Sequence, residues 1–145
     1  MPVRMELSRI LIRELTDVQL IELTEVEPAQ GGSPRSFPIV IGLPEAQAIE
    51  RRLSGLLPKR PQTHDLLGSV IATLGATLES VEITDLSDGT FFARLNLQAS
   101  DGGAVRVDAR PSDAIALGIA SSVPILVDES VIEQAATPEP GDMEL

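Results

Sequence analysis

The chain has 145 residues, 43% of them hydrophobic, with 22 acidic and 11 basic side chains and a formal net charge of −11. That length suits one domain with a sizeable core, since about 68–70% of the unfolded surface is buried at this size. The absence of cysteine excludes a disulfide framework, a thiolate metal site and a thiol nucleophile. No apolar run nears the roughly 18 residues of a membrane span, and the N-terminus has no signal-peptide core, so a cytoplasmic protein without membrane contact is the expectation.

In chain order, Met5 to Glu14 and Val18 to Val26 read as two strands joined around Thr16-Asp17. Residues 27–36, with Pro28, Gly31, Gly32 and Pro34, form a connector. Phe37 to Ile41 follows as a short strand, and Pro38 points to an edge or a strand start. Pro44 fits the first turn of a helix in which Ala46, Ile49 and Leu53 recur at helical spacing, ending near Ser54-Gly55. A second helix starts after Arg60-Pro61-Gln62, with Thr63 as N-cap and Gly75 as its close. Its predicted apolar face is Leu66, Leu67, Val70, Ile71 and Leu74.

Three strands follow, Thr77 to Leu86, Thr90 to Ala99 and Gly103 to Ala109, separated by two Ser-Asp-Gly sequences. A two-residue Asp88-Gly89 turn would set Val81 and Ile83 on the face of Arg94 and Asn96. A three-residue loop with left-handed glycine instead aligns Val81 with Leu95 and Ile83 with Ala93. The same loop at 100–102 sets Leu97 opposite Val105 and Leu95 opposite Val107, so one apolar face is predicted, carrying Phe91, with Phe92 on the other. The reverse face then lines up Glu82, Arg94 and Asp108, one guanidinium between two carboxylates.

Ser112 is the expected N-cap of a helix through Ile115, Leu117 and Ile119, with Asp113 in its first turn. Arg-Pro, then a hydroxyl residue, then Asp occurs at residues 60–65 and again at 110–113, so the two helix starts are expected to be built alike. Pro124 to Val127 reads as a last short strand. The fold class is α+β, a mixed or antiparallel sheet with helices over its apolar face. The domain spans 1–135, and 136–145 is an acidic, proline-containing tail expected to be disordered.

Several polar residues invite phosphodiester chemistry. Asp65, Asp85, Asp108 and Asp113 offer the hard oxygens that suit Mg²⁺ or Mn²⁺, with Asp108 and Asp113 as the metal candidates. His64, the sole histidine, joins Asp65, Asp108 and Asp113 as a catalytic candidate, and Arg60, Arg94, Arg110 and Ser112 are candidates for holding substrate phosphate. The same residues also suit caps and turns. Walker loop, dinucleotide glycine fingerprint, His-Glu-x-x-His and nucleophile-elbow sequences are all absent.

Charge and aromatic content argue against tight, non-specific nucleic-acid binding. Seven acids and no Lys or Arg follow Arg110, leaving 15 acidic and 11 basic residues in 1–110, and no basic cluster is apparent along the sequence. Aromatics are 2%, without Trp or Tyr, so stacking platforms are scarce.

Four stretches resemble the bifunctional nuclease domain family. They are Phe37-Pro38-Ile39-Val40-Ile41-Gly42 with Glu45-Ala46, Arg60 to Leu66, Asp85-Leu86 with Gly89-Thr90-Phe91, and Asp108 to Leu117. With their flanks they cover about Met5 to Ala135. The resemblance implies an α+β domain that self-associates as a homo-oligomer and, from the plant members, the cutting of DNA and RNA. Two function classes stay open: a metal-dependent nuclease, and a non-catalytic binding or regulatory module in which the polar groups only fix the helix starts.

Overall fold

Period-two burial sorts the strands onto two faces. Along β2 (Gln19–Glu25), Gln19, Ile21, Leu23 and Glu25 are buried, and along β3 (Ser36–Ile41), Phe37, Ile39 and Ile41 are. The remaining strands are β1 (Pro2–Leu11), β4 (Thr77–Ser87), β5 (Thr90–Gln98), β6 (Ala104–Ala109) and β7 (Ile125–Asp128). The helices are α1 (Leu43–Ser54), α2 (Thr63–Thr73), α3 (Pro111–Ala120) and α4 (Glu129–Ala135). This computed structural model describes residues 1–13, 15–16, 18–28, 32–55 and 58–136; the expected tail from 137 onward and parts of the 27–36 connector lie outside them.

The strands form one seven-stranded sheet in the order β3-β2-β1-β7-β4-β5-β6. It is mixed, because β7 runs parallel to β4 while the other pairs are antiparallel. The sheet curls without closing: Phe37 of β3 stacks on Phe91 of β5 with ring centroids 5.7 Å apart, although four strands separate them in the sheet order. Among the described residues, no helix is long and apolar enough to cross a membrane.

The predicted β4–β5 register is present, but a different device sets it. Ser87 faces Thr90 across a two-residue turn in which Asp88 and Gly89 both have positive φ, 50° and 78°, the geometry favoured where strands twist into a tight hairpin. Val81 still meets Leu95 and Ile83 still meets Ala93, because Thr84 is an extra residue between Ile83 and Asp85 that shifts the ladder by one. The β5–β6 loop follows the sequence expectation, with Gly102 at φ 92° and Leu95 and Leu97 opposite Val107 and Val105.

α3 lies in the middle of the molecule, with Ser112 and Ala114 to Gly118 buried. Its small residues allow that closeness: a Cβ on Gly118 would stand 3.0 Å from Val81 Cγ2. The sequence reading of its start needs correcting. Arg110 is the N-cap residue, Pro111 opens the helix and Ser112 is buried in its first turn. Likewise Gln62, not Thr63, caps α2, through a reciprocal capping box with Asp65.

Two further departures concern what covers what. α2 has no fully buried residue, and Leu66, Leu67, Val70 and Leu74 are exposed rather than packed in the core. The short helix α4 has no counterpart in the sequence reading; the Asp128 side chain accepts the Ser130 N–H at its start, and Val131 and Ile132 are buried. Arg35 ties this helix to the sheet by donating to Glu25 on β2 and to Glu129 on α4.

Candidate functional site

Asp65 and Asp113 both stand third in their helices, α2 and α3, where a carboxylate meets the positive helix end. Both helix starts therefore place an aspartate third, and each reaches beyond its own helix, Asp65 to Arg52 of α1 and Asp113 to His64 of α2. His64 Nε2 lies 2.9 Å from Asp113 Oδ1, and Arg110 Nε donates to Asp113 Oδ2 at 2.9 Å. Arg110 Nη1 is also 3.7 Å from Glu45 Oε2 on α1. Three helix starts thus contribute to one network.

The electrostatics fix the proton positions. Partial burial pushes the Asp113 carboxyl up, but the Arg110 and His64 contacts outweigh it and hold the group below the ordinary carboxylate range. Asp113 also raises the Arg110 guanidinium further above neutrality. At neutral pH Asp113 is therefore an acceptor only, so in this contact His64 Nε2 carries the hydrogen. The His64 side chain is 16% exposed, half-sheltered yet reachable.

His64 lines a cleft of about 510 Å³ together with Arg51, Arg52, Gln62 and Thr63. Arg52 is nearly buried, donating to the Ala48 carbonyl at 2.8 Å and standing 3.3 Å from Asp65 Oδ2. Arg51 and Arg60 are exposed, as is Lys59. Residues 51–60 thus hold Arg51, Arg52, Lys59 and Arg60, four of the 11 basic residues, a clustering the sequence reading overlooked because the acidic total hid it. Arg110 and Ser112 line a second cleft of about 340 Å³ with Ile39, Gly42, Glu45 and Phe91.

The other candidates stand elsewhere. Arg94 lies on the reverse face of the sheet, where its Nη2 donates to Glu82 Oε1 at 3.1 Å beside Asn96 and Ser80. Asp108 is opposite Arg94 in register, but no hydrogen bond or ion pair joins it to Arg94 among the described residues. The expected triplet is a pair. Asp85 is exposed on β4. Asp65 serves the capping box and Arg52 rather than the His64 network. The residues present do not fit a metal cage: among the described residues no three His, Asp or Glu side chains gather, both Asp113 oxygens are engaged, and Asp108 faces away from the helices.

The sequence reading also missed the Glu25–Arg35–Glu129 cluster. Its signal was present: Glu25 continues the buried parity of Ile21 and Leu23, and a carboxylate at such a position needs a cation.

Comparison with known proteins bears on this arrangement. The model of the bifunctional nuclease domain matches residues 28–140. Two proteins of Mycobacterium tuberculosis, from two strains and both described as uncharacterized, are 43% identical over 106 residues. The match covers 73% of this chain and 62% of theirs, so the chain spans less than two thirds of these relatives' length. His64, Arg110 and Asp113 all fall within the matched span, and this chain belongs to the bifunctional nuclease domain family.

Proposed function

We propose that the chain hydrolyses nucleic-acid phosphodiesters, with His64 moving the proton, Asp113 orienting it, and Arg51 with the start of α2 receiving the phosphate. The observation that carries this reading is the 2.9 Å contact between His64 Nε2 and Asp113 Oδ1 at the edge of a basic cleft. His64 Nδ1 takes a proton from water as the water oxygen bonds to phosphorus. The bond from phosphorus to the leaving oxygen breaks, and solvent protonates that oxygen. Asp113 stabilises the imidazolium formed, and Arg51 faces the growing charge on the phosphoryl oxygens. No step is assigned to Mg²⁺ or Mn²⁺, because the carboxylates do not form a cage for either.

The non-catalytic alternative rests on a specific observation too: Asp113 already has a structural task, bonding the N-cap residue Arg110. Cleavage of single-stranded RNA and DNA by homogeneous protein, with EDTA present, separates the two readings. His64→Ala and Asp113→Asn are expected to lower the rate by about 10²-fold or more, while exposed Asp85→Asn retains it. Activity indifferent to the first two substitutions would belong to a contaminant and would refute the catalytic reading.

A further inference from the structure

The cleft of about 340 Å³ lies where the curled sheet brings β3 back toward β5. The β3–α1 junction, the β4–β5 turn and the start of α3 surround it. Ile39, Ile41 and Phe91 make its apolar wall, with Glu45, Arg110 and Ser112 among its polar groups. Its size falls at the small end of ligand clefts, with room for one base and its sugar rather than a stretch of duplex.

Two of the polar groups have unmet hydrogen bonding. Ser112 is only 6% exposed, its hydroxyl makes no hydrogen bond among the described residues, and what exposure remains opens on the cleft. It stands in the first turn of α3, where the first backbone bond runs from Ala114 N–H to the Arg110 carbonyl at 3.0 Å and no side chain caps the N–H groups before it. Buried donors without an acceptor are unfavourable, so this helix end calls for an acceptor atom. Glu45 makes the opposite demand. Its side chain is 24% exposed, neither oxygen accepts a hydrogen bond among the described residues, and Arg110 Nη1 stays 3.7 Å away, outside hydrogen-bond range. Gly42 makes room for the carboxylate, since a Cβ there would collide with Glu45 Oε1.

We propose that this cleft binds a guanine base. A carboxylate with both oxygens free matches two adjacent N–H donors, and an acceptor must lie beside them for Ser112 and the α3 N–H groups. The guanine edge presents that order: O6 as acceptor, then N1–H, then the N2 amino group. Adenine and cytosine each follow one amino group with an acceptor nitrogen, and uracil sets its one N–H between two carbonyls, so all three turn an acceptor on the carboxylate. The same carboxylate repels a bare phosphate. The ring lies along Ile39, Ile41 and Phe91. Arg110 joins the cleft to the proton-moving group, because its Nε donates to Asp113 Oδ2 while Asp113 Oδ1 meets His64. Selection of guanine in a strand being cut rests on the hydrolytic reading above; binding of the base does not.

Calorimetry on the full chain with guanosine, inosine and adenosine monophosphates reads these contacts separately. All three carry the same phosphate, inosine lacks only the N2 amino group, and adenine reverses the edge. Guanosine monophosphate should bind about tenfold or more tighter than adenosine monophosphate, with inosine monophosphate between them. Glu45→Gln, with its fold checked by circular dichroism, should erase the difference between guanosine and inosine, whereas Ser112→Ala should weaken both several-fold and keep that difference. Equal binding of the three nucleotides, no binding at millimolar nucleotide, or a preference for guanosine over inosine that survives Glu45→Gln would overturn the proposal. Guanosine monophosphate bound with the expected preference by a protein that cuts no RNA would uphold it and sink the hydrolytic reading alone. His64-dependent cutting by a protein that shows no nucleotide preference would do the reverse.

Discussion

Arg35→Met gives the sharpest test of the packing. Arg35 donates Nε and Nη2 to Glu25 at 2.9 and 3.0 Å, and Nη1 and Nη2 to Glu129 at 2.7 and 3.0 Å. The Glu25 side chain is 3% exposed, so removing the guanidinium strands a buried carboxylate, a loss of about 3–5 kcal/mol. The Arg35 backbone N–H still donates to Glu25 at 2.8 Å, which places the expected loss near the lower end, about 3 kcal/mol, or roughly 10 °C in Tm at this chain length. The pH dependence follows with a definite sign. In the wild type the Arg35 contact, against burial, holds Glu25 below the ordinary carboxylate range, and Arg35 does the same for Glu129. That stabilisation is complete above about pH 4.3 and is lost as pH falls through the folded-state values. In Arg35→Met burial, opposed by the weaker backbone N–H contact from residue 35, pushes Glu25 up, so the variant gains stability as pH falls from about 7 toward 5. Denaturant melts at the two pH values should show the gap to wild type narrowing on acidification. A gap under about 1 kcal/mol, or one independent of pH, would refute the reasoning.

Other outcomes follow from single contacts. Gly118→Leu should destabilise by about 1–3 kcal/mol through overpacking against Val81, and adding Val81→Ala should recover part of it in thermal melts; strict additivity would contradict the contact. Asp65→Ala removes the α2 capping box and the partner of nearly buried Arg52, for an expected loss of about 3 kcal/mol, with Asp65→Asn losing less. Asp113→Asn should flatten the acid limb of the stability curve, because the Asp113 carboxyl is held low in the fold and its contribution disappears as pH falls through that value. An unchanged acid limb would show that its pairs with Arg110 and His64 add nothing.

Much of the fold was legible because hydrophobic alternation constrains register strongly. The Val81–Leu95, Ile83–Ala93 and Leu95–Val107 pairings follow from matching apolar faces, whatever the turn between them. The turn itself was misread, because a bulge at Thr84 leaves no residue-type signature while changing the loop count by one. α2 was misjudged for a related reason: periodicity reveals an apolar face but not whether this chain or another covers it. α4 was missed because seven residues carry too little pattern. In the site, His64, Arg110 and Asp113 were named from local motifs, yet their convergence depends on α2 and α3 starting at the same end of the sheet. Asp108, five residues before Asp113, points to the opposite face because β6 alternates, and no local motif reports that.

Because the chain has a single histidine, one ¹⁵N-NMR titration reports directly on the group at the centre of the account. At about pH 8, with a phosphorothioate dinucleotide added, the Nε2–H tautomer should dominate in wild type, the Nδ1 resonance should move with ligand, and Asp113→Asn should lose the tautomer preference. An Nδ1–H tautomer, or an imidazole that ignores the dinucleotide, would contradict the role assigned to His64.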